Sequence, residues 1–140
     1  KLSSGKLYLP VDVVIADKFE DSAQKKIQPV GDVPSGWRVL DIGPETIRLF
    51  SRFIADAGTV VWNGPMGVFE FPNFAVGTFE IAKSVASSKA VSVIGGGDSV
   101  AAVTQAGVAE KITHISTGGG ASLEMLEGLA LPGLVALQDK

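Results

Sequence analysis

Short apolar runs alternate with longer segments of helical period along this chain, and glycine or proline punctuates the joins. The strand candidates are residues 11–16, 38–41, 59–62, 90–94 and 114–116, made mostly of Val and Ile without polar alternation. Runs of that kind suit strands covered on both faces. Between them the spacing predicts a helix over Pro44–Asp56, where Ile47, Leu49, Phe50, Phe53 and Ile54 form a broad apolar stripe and Pro44 takes the first helical position. Further helices are expected over residues 76–87, 99–106 and 121–126. This alternation is the signature of βαβ units, so the expected fold class is α/β, a Rossmann-like three-layer parallel sheet.

Residues 17–37 break the pattern with charged and small polar side chains, two prolines and two glycines, and read as a long surface connection. With no internal repeat or low-complexity tract, one layered domain is the economical architecture. In a right-handed parallel sheet the strand-to-helix turns lie at the carboxyl edge, so the turns after three of these strands are expected to share one rim, where ligand chemistry belongs.

Composition narrows the partners. Twelve Lys and Arg against fifteen Asp and Glu leave a formal charge of −3, and 46% apolar with 19% charged residues excludes disorder. No basic run exists to meet nucleic acid or an anionic membrane surface, so neither is an expected partner. The absence of cysteine removes disulfides, thiolate metal sites and thiol nucleophiles. No apolar stretch approaches the ~20 residues of a membrane helix. The chain opens on Lys1 without a signal-peptide pattern, and reads as a piece of a longer polypeptide.

Three turns carry the candidate chemistry. In Ile94-Gly95-Gly96-Gly97-Asp98-Ser99 the glycines let the backbone approach a ligand and aim amide N–H groups at it from a helix start, where an anion such as phosphate is favoured. Asp98 beside such a site makes sense as a ligand for phosphate-bound Mg²⁺, and equally as a cap of the helix. Ser116-Thr117-Gly118-Gly119-Gly120-Ala121-Ser122 repeats the arrangement, and two triple-glycine turns together favour anion binding over tight packing. Neither has the spacing or lysine of a P-loop. In the third, Asn63 to Glu70, the Asn63 amide can donate to a phosphate; Glu70 can accept from ribose hydroxyls or be a solvated carboxylate at a proline turn. Val68, Phe69, Phe71 and Phe74 read as core or pocket wall, and His114, with no carboxylate nearby in sequence, reads as structural rather than as a general base. Phosphoryl transfer, which needs positioning and charge stabilisation more than a covalent nucleophile, fits glycine turns and Mg²⁺.

The strings LPVDVVIADKFE, LDIGPETI, VVWNGPMGVFEF, VIGGGDSVAAV and HISTGGGASLEMLEG, in this order and spacing, resemble the C-terminal portion of the phosphoglycerate kinase family over essentially the whole chain. The resemblance implies that residues 1–140 are an incomplete C-terminal, nucleotide-binding domain. The implied activity is reversible transfer of a phosphoryl group from 1,3-bisphosphoglycerate to Mg-ADP, giving 3-phosphoglycerate and Mg-ATP in glycolysis or running in reverse in carbon fixation. Carried over by motif, Asp98 holds Mg²⁺, Gly96, Gly97 and Ser99 contact the nucleotide phosphates, Asn63 reaches the phosphate chain and Glu70 the ribose. Phe19, Leu40, Gly67 and Val68 resemble the positions that wall the base and sugar pocket. Gly118, Gly119 and Gly120 resemble the loop that faces the transferring phosphoryl group.

The family's N-terminal domain, which holds 3-phosphoglycerate, and the start of its nucleotide domain, with a GGAKVSDK-like segment and a catalytic lysine, are not in this chain. It is therefore expected to be inactive alone. An isolated Mg-nucleotide-binding module and a folding fragment without ligand function are the competing readings. The intact protein implied by the resemblance is a monomer of the cytoplasm, with a plastid as the alternative.

Overall fold

The computed structural model describes residues 5–116 and 118–137, so Thr117 of the second triple-glycine turn lies outside the described residues, as does Lys1. In chain order the elements are β1 (Asp12–Ala16), β2 (Lys25–Pro29), β3 (Arg38–Ile42), α1 (Pro44–Asp56), β4 (Thr59–Asn63), α2 (Val76–Ser87), β5 (Val91–Gly95), α3 (Gly97–Gln105), β6 (His114–Ser116), α4 (Gly119–Leu126) and a short α5 (Pro132–Val135). Single 3₁₀ turns at Pro72–Phe74 and Ala109–Lys111 lie before α2 and β6.

The strands form two sheets. β4, β5 and β6 are parallel and adjacent in that order, as the α/β reading expects. Their two faces are covered differently. Trp62 and Ile94 point into a core with Ile81, Ala82 and Val85 of α2 and Val103 of α3, joined by Ile47, Phe50 and Ile54 from the stripe of α1. On the other face Val61 and Val93 line an open cavity whose far wall is Leu123 and Leu126 of α4. Strand alternation thus splits one Val/Ile run between two helical layers. Each fully buried aliphatic side chain, such as Ile94 or Val103, contributes roughly 1.5–3 kcal/mol.

The first three strands depart from the expected parallel arrangement. Their order is β2-β1-β3 and both pairings are antiparallel. The connection over residues 17–37 is not simply a loop either, because it contains β2. Its hairpin is closed by Asp17 N donating to Gln24 O at 3.2 Å and Gln24 N donating to the Asp17 carboxylate at 2.9 Å. β2 is an edge strand whose Lys25, Lys26 and Ile27 are all exposed, so it has no apolar face for a sequence pattern to show. One signal was present: a parallel crossover needs a helix, and residues 17–37 have no helical period.

α1 begins on Gly43 and Pro44, and Gly43 offers no side chain to cap it. The acceptor comes instead from β1. The Asp12 carboxylate accepts from Glu45 N at 3.0 Å, Thr46 N at 2.7 Å and the Thr46 hydroxyl at 2.7 Å. Burial alone would raise the Asp12 pKa, but these hydrogen bonds outweigh it and hold the group below its ordinary value. Asp12→Ala should therefore destabilise the fold by about 2–4 kcal/mol and Thr46→Val by about 1–2 kcal/mol in denaturant unfolding. A loss under about 0.5 kcal/mol for Asp12→Ala would rule out this capping role.

Candidate functional site

The parallel register sets the rim. Asn63 pairs with Gly95, and Gly95 with Ser116, so the carboxyl ends of β4, β5 and β6 stand side by side. All three predicted turns leave from that line. Asn63, Gly95, Ser116 and Ser122 line one cavity of about 340 Å³, floored by Val61, Val93 and Leu126. His114 lines it too and is exposed at the start of β6.

The glycines divide by what surrounds them. A Cβ on Gly95 would stand 3.3 Å from the Asn63 Nδ2, and one on Gly96, whose φ is +86°, 2.9 Å from Asn63 Oδ1. Those two glycines make room for the Asn63 amide. A Cβ on Gly97, Gly119 or Gly120 would meet nothing within 4 Å, so tight packing does not explain them. Open space over a helix start is what close backbone approach to an anion requires.

α3 has Gly96 at its N-cap with no side-chain cap, which removes the reading of Asp98 as the cap. Asp98 is instead exposed in the first helical turn, and Ser99 is buried beneath it. Ser99 Oγ accepts from Gly64 N at 2.6 Å and so ties the Asn63 turn to the start of α3. Among the described residues no group of three or more acidic or histidine side chains is arranged to hold a metal ion. A lone exposed carboxylate at a helix start fits Mg²⁺, an ion that is held through one or two carboxylates plus substrate phosphates rather than by an all-protein cage. At the second triple-glycine turn Ser116 Oγ lies 2.6 Å from Ser122 Oγ and accepts from Gly118 N at 3.2 Å.

A second group gathers beside β3. Val68 N donates to Leu40 O at 2.8 Å, and Leu40 and Val68 pack with Ala16, Phe71 and Phe74. Phe19, 56% exposed, lies with its ring centroid 5.2 Å from that of Phe71. Gly67 lies against Leu40 O and the Asp41 carboxylate, where a Cβ would overlap both. Phe19, Leu40, Gly67 and Val68 are thus brought together, with exposed Glu70 two residues beyond Val68. Residues 63–70 connect this group to the rim.

Sequence reasoning missed two buried polar residues here. Asp41, 2% exposed, accepts from Ile42 N at 2.9 Å and Gly77 N at 2.8 Å. Thr78, fully buried, accepts from Met66 N and Gly67 N. The available signal was an aspartate inside an apolar strand run, since a buried charge demands partners.

Comparison with known proteins agrees with the motif resemblance. The family sequence profile described as phosphoglycerate kinase matches residues 1–129. The chain is 62% identical to the phosphoglycerate kinase of Chloroflexus aggregans, over 96% of this chain and 34% of that protein. It is 59% identical to the chloroplastic phosphoglycerate kinase of Volvox carteri, over 100% of this chain and 31% of the relative. The solved phosphoglycerate kinase of Coxiella burnetii superposes with a TM-score of 0.83 at 43% identity, covering 87% of this chain and 31% of that one. The chain thus spans about a third of the length of the relatives it matches. Among the described residues no helix is long and apolar enough to cross a membrane.

Burial pushes the Asp41 carboxyl up from its ordinary 3.8 to about 6, against the opposing pull of the Gly77 and Ile42 amides and the Lys25 charge. The folded state then holds this proton more tightly than the unfolded chain, so the contribution is fully present below pH 3.8 and is lost as pH rises through about 6. A fall of at most about 3 kcal/mol in unfolding free energy is expected from this group across that window, less where solvent screens the carboxylate. Asp41→Asn should remove that fall in denaturant titrations at a series of pH values; an unchanged slope would show that Asp41 titrates normally.

Proposed function

Because this chain belongs to the phosphoglycerate kinase family, we propose that it is the nucleotide side of an enzyme that moves a phosphoryl group reversibly between 1,3-bisphosphoglycerate and Mg-ADP. Residues 1–140 then form part of the nucleotide-binding domain. The observation that carries this reading is the in-register line of Asn63, Gly95 and Ser116, which puts two glycine-led helix starts and a side-chain amide around one cavity.

In this reading the N–H groups of Gly96, Gly97 and Ser99 and the Asn63 amide hold the nucleotide phosphates. The positive end of the α3 dipole favours their charge. Asp98 is the residue that would hold Mg²⁺, which when bound neutralises charge across the phosphates. Glu70 accepts from the ribose hydroxyls, and Phe19, Leu40, Gly67 and Val68 wall the base and sugar. The N–H groups of Gly118, Gly119 and Gly120, at the start of α4, face the transferring group. Donors fixed in place before reaction need no reorganisation as charge develops, the main requirement of a reaction with little covalent work for the protein.

The acceptor, 3-phosphoglycerate or 1,3-bisphosphoglycerate, is assigned to polypeptide beyond these residues, in keeping with relatives about three times as long. The same reading places the intact protein, a monomer, in the cytoplasm, or in a plastid of the kind the name of the Volvox carteri relative gives for that protein. Both turns and the Gly64–Ser99 tie lie within this chain, which favours as a second reading a module that binds Mg-nucleotide without turnover.

Calorimetric titration with ADP tests the nucleotide site that both readings share, and turnover by the full-length polypeptide separates them. Saturable, Mg²⁺-dependent binding is expected, weakened at least about tenfold by Asp98→Ala, since a charge-assisted interaction worth more than about 1.4 kcal/mol is lost. Equal binding by Asp98→Ala would remove Asp98 from the metal site. In a coupled ATP-formation assay the 140 residues alone should show no turnover, with activity appearing only in the full-length polypeptide; turnover by the isolated chain would overturn that assignment.

A further inference from the structure

Residues 64–70 are neither helix nor strand, so the shape of this loop depends on what its backbone touches. Two successive amides, Met66 N and Gly67 N, donate to a single acceptor, Thr78 Oγ1, at 3.1 and 3.2 Å. Thr78 is fully buried in the first turn of α2. One residue earlier Gly77 N donates to Asp41 Oδ2 at 2.8 Å, and the same carboxylate packs so closely on Gly67 that no side chain would fit there. Val68 N then closes onto Leu40 O of β3. The middle of the loop is therefore held by α2 and β3 together, through the buried Thr78 hydroxyl and the Leu40 carbonyl.

We infer that Thr78, backed by Asp41, is a positioning residue for the nucleotide: it touches no substrate and acts by fixing residues 66–68, so that Val68 and Glu70 meet base and ribose without rearrangement. The inference rests on the nucleotide reading given above. The Asn63 end of the loop has its own anchor, Gly64 N to Ser99 Oγ, so losing Thr78 releases the base and ribose end selectively. An unheld loop must be ordered at the moment of binding, and that ordering subtracts from affinity. The effect should therefore fall on the nucleotide and spare the acceptor, which this loop does not hold.

The test uses the full-length kinase carrying these residues, with both substrates varied and every variant assayed below its melting midpoint. Thr78→Val keeps shape and removes the acceptor. Its KM for ADP should rise about tenfold, with kcat and KM for 1,3-bisphosphoglycerate within about twofold of the parent. Thr78→Ser, which restores the hydroxyl, should return KM for ADP to within about threefold of the parent. An unchanged KM for ADP in folded Thr78→Val overturns the inference. So does a parallel change in both KM values and kcat that tracks lost thermal stability, because a merely structural threonine would behave that way. If Thr78→Val does not fold, Thr78→Ala at lower temperature is read by the same criteria. Asp98→Ala is the control for the reading underneath: if it leaves Mg-ADP binding intact, the nucleotide assignment fails and this inference with it, whereas loss in Asp98→Ala with normal KM in Thr78→Val sinks the positioning role alone.

Discussion

Two buried carboxylates join the halves of this molecule. Neither α1 nor α2 has a side-chain acceptor at its own N-cap, where Gly43 and Ala75 stand. The unsatisfied amides of each helix start are met from the antiparallel sheet: Asp12 of β1 reaches α1 and Asp41 of β3 reaches α2. Glycine makes the approach possible, since a Cβ on Gly43 would overlap Asp12, and one on Gly67 or Gly77 would overlap Asp41. α1 and α2 also cover the parallel sheet, so these contacts set how the antiparallel sheet is docked on the layer that carries the rim.

The two aspartates answer burial in opposite ways. Asp12 collects two amides and a hydroxyl, and their sum exceeds its desolvation. Asp41 lies deeper with two amide donors, and burial wins. A charge held in this way is stable only while its donors stay in place, which makes the local backbone hard to deform. Loop 64–70 inherits that rigidity through Gly67, and the start of α3 inherits its own through the hydrogen bond between Gly64 and Ser99. Under the proposed phosphoryl transfer such stiffness would be the useful property, because aligned donors rather than a nucleophilic side chain would supply the stabilisation.

Much of this was legible along the chain. The strand runs reappear within a residue or two as β1, β3, β4, β5 and β6, because uninterrupted Val and Ile runs have few ways to be buried other than as covered strands. The stripe of α1 was readable as well: Ile47, Phe50 and Ile54 reach the core, while Phe53, at its edge, is left to stack on Tyr8. The grouping of the glycine turns along one sheet edge was legible because each follows a Val/Ile strand and glycine in such density serves backbone geometry rather than stability. β2 was not legible, since an exposed edge strand has no pattern to display. Nor was it legible whether Asp98 caps α3, because a helix cap and a metal ligand call for the same residue at the same place.

The sequence by itself thus determined the α/β class, the order of the elements from β3 to α4 together with β1, and the grouping of glycine turns at strand ends, all of which follow from local periodicity and backbone freedom. Tertiary structure alone decided strand direction in the first sheet, the partners of Asp12, Asp41 and Thr78, and which glycines yield to a neighbouring side chain and which stand over open space. Those outcomes depend on contacts between residues more than thirty positions apart for the two aspartates, at 33 to 36 residues, and on eleven or twelve positions for Thr78. Separations of that kind bring groups together only once the sheets have docked, and no local propensity encodes them.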